Sequence, residues 1–119
     1  MPKDPNSHAG ILEATVSRNG EATTLALAGE LDLATVGIVR EKLGEALGDG
    51  SSSVVLDLRR LTFIDSSGIA FLLSATKEDR EGRLSFIASE APAVQRVLTI
   101  TGVAELFGGS GEAMPLAEA

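Results

Sequence analysis

The sequence has no cysteine, no tryptophan and no tyrosine, and His8 is its single histidine. Without cysteine there is no disulfide framework, no thiolate zinc or iron–sulfur site and no thiol nucleophile, a composition that fits a cytosolic protein. One histidine in a Pro/Asn/Ser-rich stretch supplies neither a histidine-based catalytic triad nor a multi-histidine metal site. Basic residues are also scarce: ten Lys and Arg stand against seventeen Asp and Glu, for a net charge of −7 and a pI near 4.6. The cationic groove and most of the stacking platform that nucleic acid requires are missing, so no nucleic acid is expected as a partner. Long apolar runs are lacking too. Ile69 to Leu73 is far too short to span a bilayer, and Met1-Pro2-Lys3-Asp4-Pro5 has no apolar signal-peptide core, so no membrane insertion is expected. Residues 1–10 read as a short disordered leader.

What remains is a chain of 119 residues, 44% apolar, with a mean hydropathy of +0.19. That suits one domain over residues 11–119, which on folding buries about two-thirds of the surface its unfolded chain exposes. Ile11 to Val16 and Thr23 to Ala28 alternate apolar with polar residues around Asn19-Gly20, whose positive φ angles suit a tight hairpin. The period then changes. Val36, Val39, Leu43 and Leu47 fall three or four apart and predict a helix ending near Gly48 to Gly50, with Gly37 weakening its first turn by ~1 kcal/mol relative to alanine. Val54 to Leu58 is short and β-branched, which predicts a central strand buried on both faces. Thr62 to Ile64 continues it, and a second helix starts at Asp65-Ser66-Ser67-Gly68, with Ile69, Leu72, Leu73 and Thr76 at helical spacing. Gly82 is placed as its stop. Leu84 to Ala88 alternates as a fourth strand, and Pro92 opens a short helix running to Gly102. From Val103 to Ala119 the chain reads as glycine-rich, then weakly helical. The order β-β-α-β-α-β-α predicts an α/β fold: a mixed sheet of four or five strands, with helices packed mainly on one face.

Three segments invite chemistry. Asp65-Ser66-Ser67-Gly68 sets two hydroxyls and a carboxylate at a strand-to-helix turn, where free amides favour an added anion. The plain alternative is that Asp65 or Ser66 caps the helix. Gly68 either relaxes the turn or lets another molecule's backbone come close. Asp57, at the end of an apolar strand, raises a second possibility, a receiver-like phosphoacceptor. The hairpin lacks the acidic pair that would hold Mg²⁺ there, and Lys77, the only later lysine, falls inside a helix. A phosphatase of the haloacid dehalogenase type would need an aspartate where Arg59 stands. Serine hydrolysis fails because Ser66 and Ser67 lie outside any Gly-x-Ser-x-Gly turn and lack a histidine base. Third, Gly29-Glu30-Leu31-Asp32 is either a strand end followed by a helix-capping Asp32, or an exposed contact surface made by Glu30 and Asp32.

Taken together, Gly29-Glu30-Leu31-Asp32, Val54-Val55-Leu56-Asp57-Leu58 and Phe63-Ile64-Asp65-Ser66-Ser67-Gly68-Ile69 closely resemble, in this order and spacing, the bacterial anti-sigma factor antagonists of the sulphate transporter and anti-sigma antagonist (STAS) domain family. The resemblance runs from about Ile11 to Phe107 and includes Ile100-Thr101-Gly102. It implies a cytoplasmic protein, monomeric when free, that needs no cofactor. It implies no enzyme but the substrate of a serine kinase that is also the anti-sigma factor, with a serine phosphatase resetting the cycle. In that family the first hydroxyl after the aspartate is phosphorylated, which carries over to Ser66. Glu30, Asp32, Asp65, Ser66, Ser67, Gly68 and Ile69 are then the partner-binding residues. A second role found in the family is a structural or regulatory subunit of a transporter or signalling assembly. The sequence departs from the family pattern at Gly37 and at Gly108 to Gly111.

Overall fold

Alternating side chains build the first hairpin. In the computed structural model, which describes residues 11–108, β1 (Leu12–Asn19) and β2 (Ala22–Leu31) pair antiparallel, with Asn19 opposite Ala22. The positive φ sits at Gly20 alone, at +67°. Asn19 instead closes the strand, so the two-residue loop Gly20-Glu21 has its glycine at the first central position.

Beyond β2 the chain forms α1 (Val36–Gly48), β3 (Ser53–Ile64), α2 (Ser66–Glu78), β4 (Leu84–Ile87), α3 (Pro92–Ile100) and α4 (Val103–Gly108). The four strands lie in sequence order, and β3 runs parallel to both β2 and β4. The expected disordered leader (residues 1–10) and the expected glycine-rich tail beyond Gly108 lie outside the described residues.

Burial alternates along the inner strands. Leu25 and Leu27 of β2 and Val54 and Leu56 of β3 are buried, while Ala26, Ala28 and Val55 between them are half-buried. One face of the sheet therefore carries the core with Val39, Leu43, Phe71, Leu72, Val94 and Leu98 of the helices, as the mixed-sheet expectation requires. The expectation that Val54 to Leu58 is covered on both faces does not hold at Val55.

Three boundaries differ from the sequence reading, each for a local reason. β3 is one strand of twelve residues and passes through Arg59-Arg60, because two register shifts against β2 absorb the extra residues there. α2 ends at Glu78, well before Gly82, because the Asp79 carboxylate accepts from the amides of Arg83 and Leu84 at 3.0 and 2.9 Å and folds the chain back toward β4. The third boundary is that of the last helix: after Gly102, at φ +84°, α4 turns back with Val103 fully buried. At Gly37, in the first turn of α1, an added Cβ meets nothing within 4 Å, so that departure costs helix propensity rather than packing.

Candidate functional site

Parallel pairing of β2 and β3 brings their C-terminal ends to the same edge. Leu31 stands opposite Ile64 and Glu30 opposite Phe63, and the Asp65 amide donates to the Leu31 carbonyl at 3.2 Å. The Gly29-Asp32 and Asp65-Ile69 segments, 33 or more residues apart in sequence, thus become neighbours.

Within the second segment the labour is divided. Asp65 is the cap of α2: its Oδ1 accepts from the amides of Ser67 and Gly68 at 2.9 and 3.1 Å. That leaves Ser66, the first residue of the helix, exposed. Its hydroxyl takes part in no hydrogen bond with another described residue. Ser67 and Ile69 are half-buried, and Ile69 packs against the core. Gly68 is buried, with φ outside the left-handed region. A Cβ there would lie 2.7 Å from Ile64 Cγ1 and 2.9 Å from the Leu31 oxygen. The close approach that needs this glycine is therefore made by the chain's own β2 and β3. Gly68 thus serves the packing of α2 on the sheet, buried in the free domain.

In the first segment Asp32 is likewise turned inward, with 8% of its surface exposed. Its Oδ1 accepts from the Ala34 and Thr35 amides at 3.0 and 3.1 Å and from the Thr35 hydroxyl at 3.2 Å. The Thr35 hydroxyl also donates to the Glu30 carbonyl at 2.8 Å. Asp32 thus shapes the turn that precedes α1, whose cap position is Thr35 and carries no side-chain cap bond, so its carboxylate neither caps the helix nor stands exposed in the free domain. Glu30 is half-buried. Gly29 has φ +118°, and a Cβ on it would fall 2.5 Å from the Ile11 oxygen. It lets β1 close over the end of β2, where the Glu30 amide donates to that same oxygen at 2.8 Å.

Asp57 does not stand at a strand end. It lies seven residues before the end of β3, its side chain bound by Arg59 Nε at 3.1 Å and Nη2 at 2.9 Å, with the Arg59 amide at 3.0 Å. Hydrogen bonding by the Arg59 side chain holds its carboxyl below the usual value, against the opposing effect of burial. A carboxylate already bound at both oxygens to its own arginine is a poor phosphoacceptor. Among the described residues no three His, Asp or Glu side chains are grouped to hold a metal ion, and no helix is long and apolar enough to cross a membrane.

Two features escaped the sequence reading. Leu33 is 76% exposed and Phe63 48% exposed, the first lying two residues beyond Leu31 at the end of β2 and the second in β3, two residues before Asp65. Thr62 to Ile64 had read only as a continuation of the apolar strand and Leu33 had drawn no reading, and it is their exposure in the fold that sets them apart.

The family model described as "Mlab, STAS domain" matches residues 14–108. The chain belongs to the STAS domain family. The anti-sigma-F factor antagonist RsfB of Mycobacterium tuberculosis is 27% identical over 97 residues, covering 81% of this chain and 79% of that protein. A crystal structure of an anti-sigma factor antagonist from Mycobacterium paratuberculosis shares the fold, with a TM-score of 0.73 at 21% identity over 89% of this chain and 87% of that one. The anti-sigma factor antagonist SpoIIAA in its unphosphorylated form superposes with a TM-score of 0.61 at 27% identity, over 86% of this chain and 85% of that one. The Bacillus cell fate determinant SpoIIAA in its phosphorylated form gives 0.59 at 26%, over 86% of this chain and 88% of that one.

Proposed function

We propose that this STAS domain is an anti-sigma factor antagonist: unphosphorylated, it binds an anti-sigma factor that is also a serine kinase and so releases a sigma factor, and phosphorylation at Ser66 ends that binding. The observation that carries this reading is the exposed Ser66 hydroxyl at the start of α2, left outside the helix cap because Asp65 does the capping. Similarity to RsfB and to SpoIIAA, the latter solved with and without phosphate, supports it. The domain acts as substrate and ligand rather than as an enzyme, a reading supported by its similarity to proteins named as anti-sigma factor antagonists. A serine phosphatase resets the cycle in the cytoplasm.

Phosphorylation brings about −1.5 to −2 charges to a turn that already holds Asp65. In a packed contact that charge has to be stripped of water beside a carboxylate, and a tenfold loss of affinity takes only about 1.4 kcal/mol. Calorimetry of wild type, Ser66→Ala, Ser66→Asp and authentically phosphorylated protein against the anti-sigma factor tests the switch. Wild type and Ser66→Ala should bind well, and the other two weakly. Equal affinities throughout, or phosphate mapped by mass spectrometry to Ser67 instead, would defeat the assignment.

A further inference from the structure

The surroundings of Ser66 divide into two chemistries. Leu33 and Phe63 are two of the six exposed large hydrophobics among the described residues, and both belong to this edge of the sheet. Phe63 precedes Ser66 by three residues and pairs with Glu30. Leu33 follows by two residues Leu31, whose carbonyl receives the Asp65 amide. Two residues of chain span at most about 7 Å, so Leu33 cannot stray far from the turn that presents Ser66. A single exposed apolar side chain calls for no explanation, but two on segments that meet at the end of the sheet presenting Ser66 do.

Charge at this edge is mainly acidic, and the nearest cation along β3 is the exposed Arg60, opposite Ala28. From Gly29 to Val39 and from Leu61 to Thr76 the chain carries Glu30, Asp32 and Asp65 and no lysine or arginine. The next cation along α1, Arg40, has its guanidinium over the Phe71 ring of α2, 5.5 Å from the centroid. An apolar pair beside the partly exposed Glu30 and Asp65 is complementary to a protein surface with apolar pockets in a basic rim. Water-free apolar contacts at the centre of an interface hold most of its affinity, while rim charges mainly set the rate of encounter.

Building on the function proposed above, we infer that Leu33 and Phe63 are the two anchors by which this domain grips its partner, seated in apolar pockets of a basic face of the anti-sigma factor. The anchors govern how long the complex lasts. Glu30 and Asp65 govern how fast it forms and how strongly that rate depends on salt. A phosphoryl group on Ser66 then acts by keeping the anchors from seating dry, which shortens the lifetime of the complex rather than slowing its formation.

Surface plasmon resonance against a panel of purified anti-sigma factor kinases from the source organism, at low and high salt, tests this. Leu33→Ser and Phe63→Thr should each weaken binding about tenfold or more through faster dissociation, with the salt dependence of association unchanged. Ile100→Ser, at an equally exposed position of 75% at the end of α3, should bind like wild type. Leu33 lies in a turn and is mostly exposed, so Leu33→Ser carries the test even if Phe63→Thr disturbs β3. Wild-type lifetimes for the Leu33 variant, with phosphorylation of Ser66 still weakening binding, would overturn the anchors and leave the proposed function standing. No binding of wild type to any member of the panel, or binding indifferent to phosphate, would overturn both.

Discussion

Gly68 rests against Leu31 so closely that a single added carbon would sit 2.9 Å from the Leu31 carbonyl oxygen and 3.0 Å from its Cγ. This contact seats the first turn of α2 on the ends of β2 and β3, and so fixes where Ser66 emerges. Gly68→Ala should therefore destabilise the domain by about 1–3 kcal/mol through overpacking, more than offsetting alanine's better helix propensity. Urea unfolding measures it; a neutral or stabilising result would mean that the helix start shifts freely. Gly44→Ala in α1, where a Cβ meets nothing within 4 Å, is the matched control and should stabilise by up to about 1 kcal/mol.

The Asp65 cap makes a separate prediction. Its Oδ1 serves two amides of the first turn, so Asp65→Ala should cost about 1 kcal/mol of stability. Asp65→Asn keeps an acceptor oxygen and should lose less. Chemical denaturation of the three proteins checks the order. If Asp65→Ala were as stable as wild type, the cap would contribute nothing in solution.

Asp57 and Arg59 make the prediction for pH. The folded-state pKa of Asp57 is lowered from its usual 3.8, first by hydrogen bonding from the Arg59 side chain, with burial opposing. The stabilisation is thus fully present above the unfolded-state value. It is lost as pH falls below about 3.8 and through the lower folded-state value, as the carboxylate takes up a proton. The Arg59 side chain is 54% exposed, so the pair is screened, and Arg59→Met should cost about 1 kcal/mol at neutral pH. The same variant should flatten the stability profile in that acid range. A profile identical to wild type below pH 4 would show that Asp57 titrates normally.

The strands and helices were legible because their apolar periods are clean: alternation in Thr23 to Ala28, three- and four-residue spacing from Val36 to Leu47. The Asp65 turn was legible because its residue types favour caps. Less could be read where tertiary contacts decide. Arg59 and Arg60 look like the end of a strand, yet β3 carries them through with the loop's help: the Glu90 amide donates to the Arg59 carbonyl at 3.1 Å and the Ser89 hydroxyl to that of Leu61 at 2.7 Å. Gly68 read as either relaxing the turn or admitting another molecule's backbone, and Gly29 drew no reading of its own, whereas each is needed where another part of the same chain comes close. Asp32 read as either a helix cap or an exposed contact and is instead folded into the turn before α1. No local signal distinguishes these cases, because each depends on a strand more than fifteen residues away or on which way one carboxylate turns.

Phosphate at Ser66 should also register in the free protein, through Asp65. Anions near a helix N-terminus gain from its dipole by about 0.3–1 kcal/mol when exposed. Here, however, the amides of Ser67 and Gly68 are already taken by the Asp65 carboxylate. A phosphoryl group on the adjacent residue must compete with that carboxylate for the same donors, and the two anions repel. The dipole's gain and this repulsion oppose each other, so phosphorylation of wild type should leave the unfolding free energy within about 0.5 kcal/mol of its starting value. In Asp65→Asn the competing charge is gone while an acceptor remains, and phosphorylation should then stabilise by the dipole's share, about 0.3–1 kcal/mol. Unfolding free energies of the four species, with phosphoserine installed at position 66 during synthesis, give the coupling between the two anions directly. A coupling near zero would mean that phosphate and carboxylate do not share the helix start. Marked destabilisation of phosphorylated wild type would instead mean that the phosphate loosens the start of α2, so that the switch would act through the fold as well as through the contact.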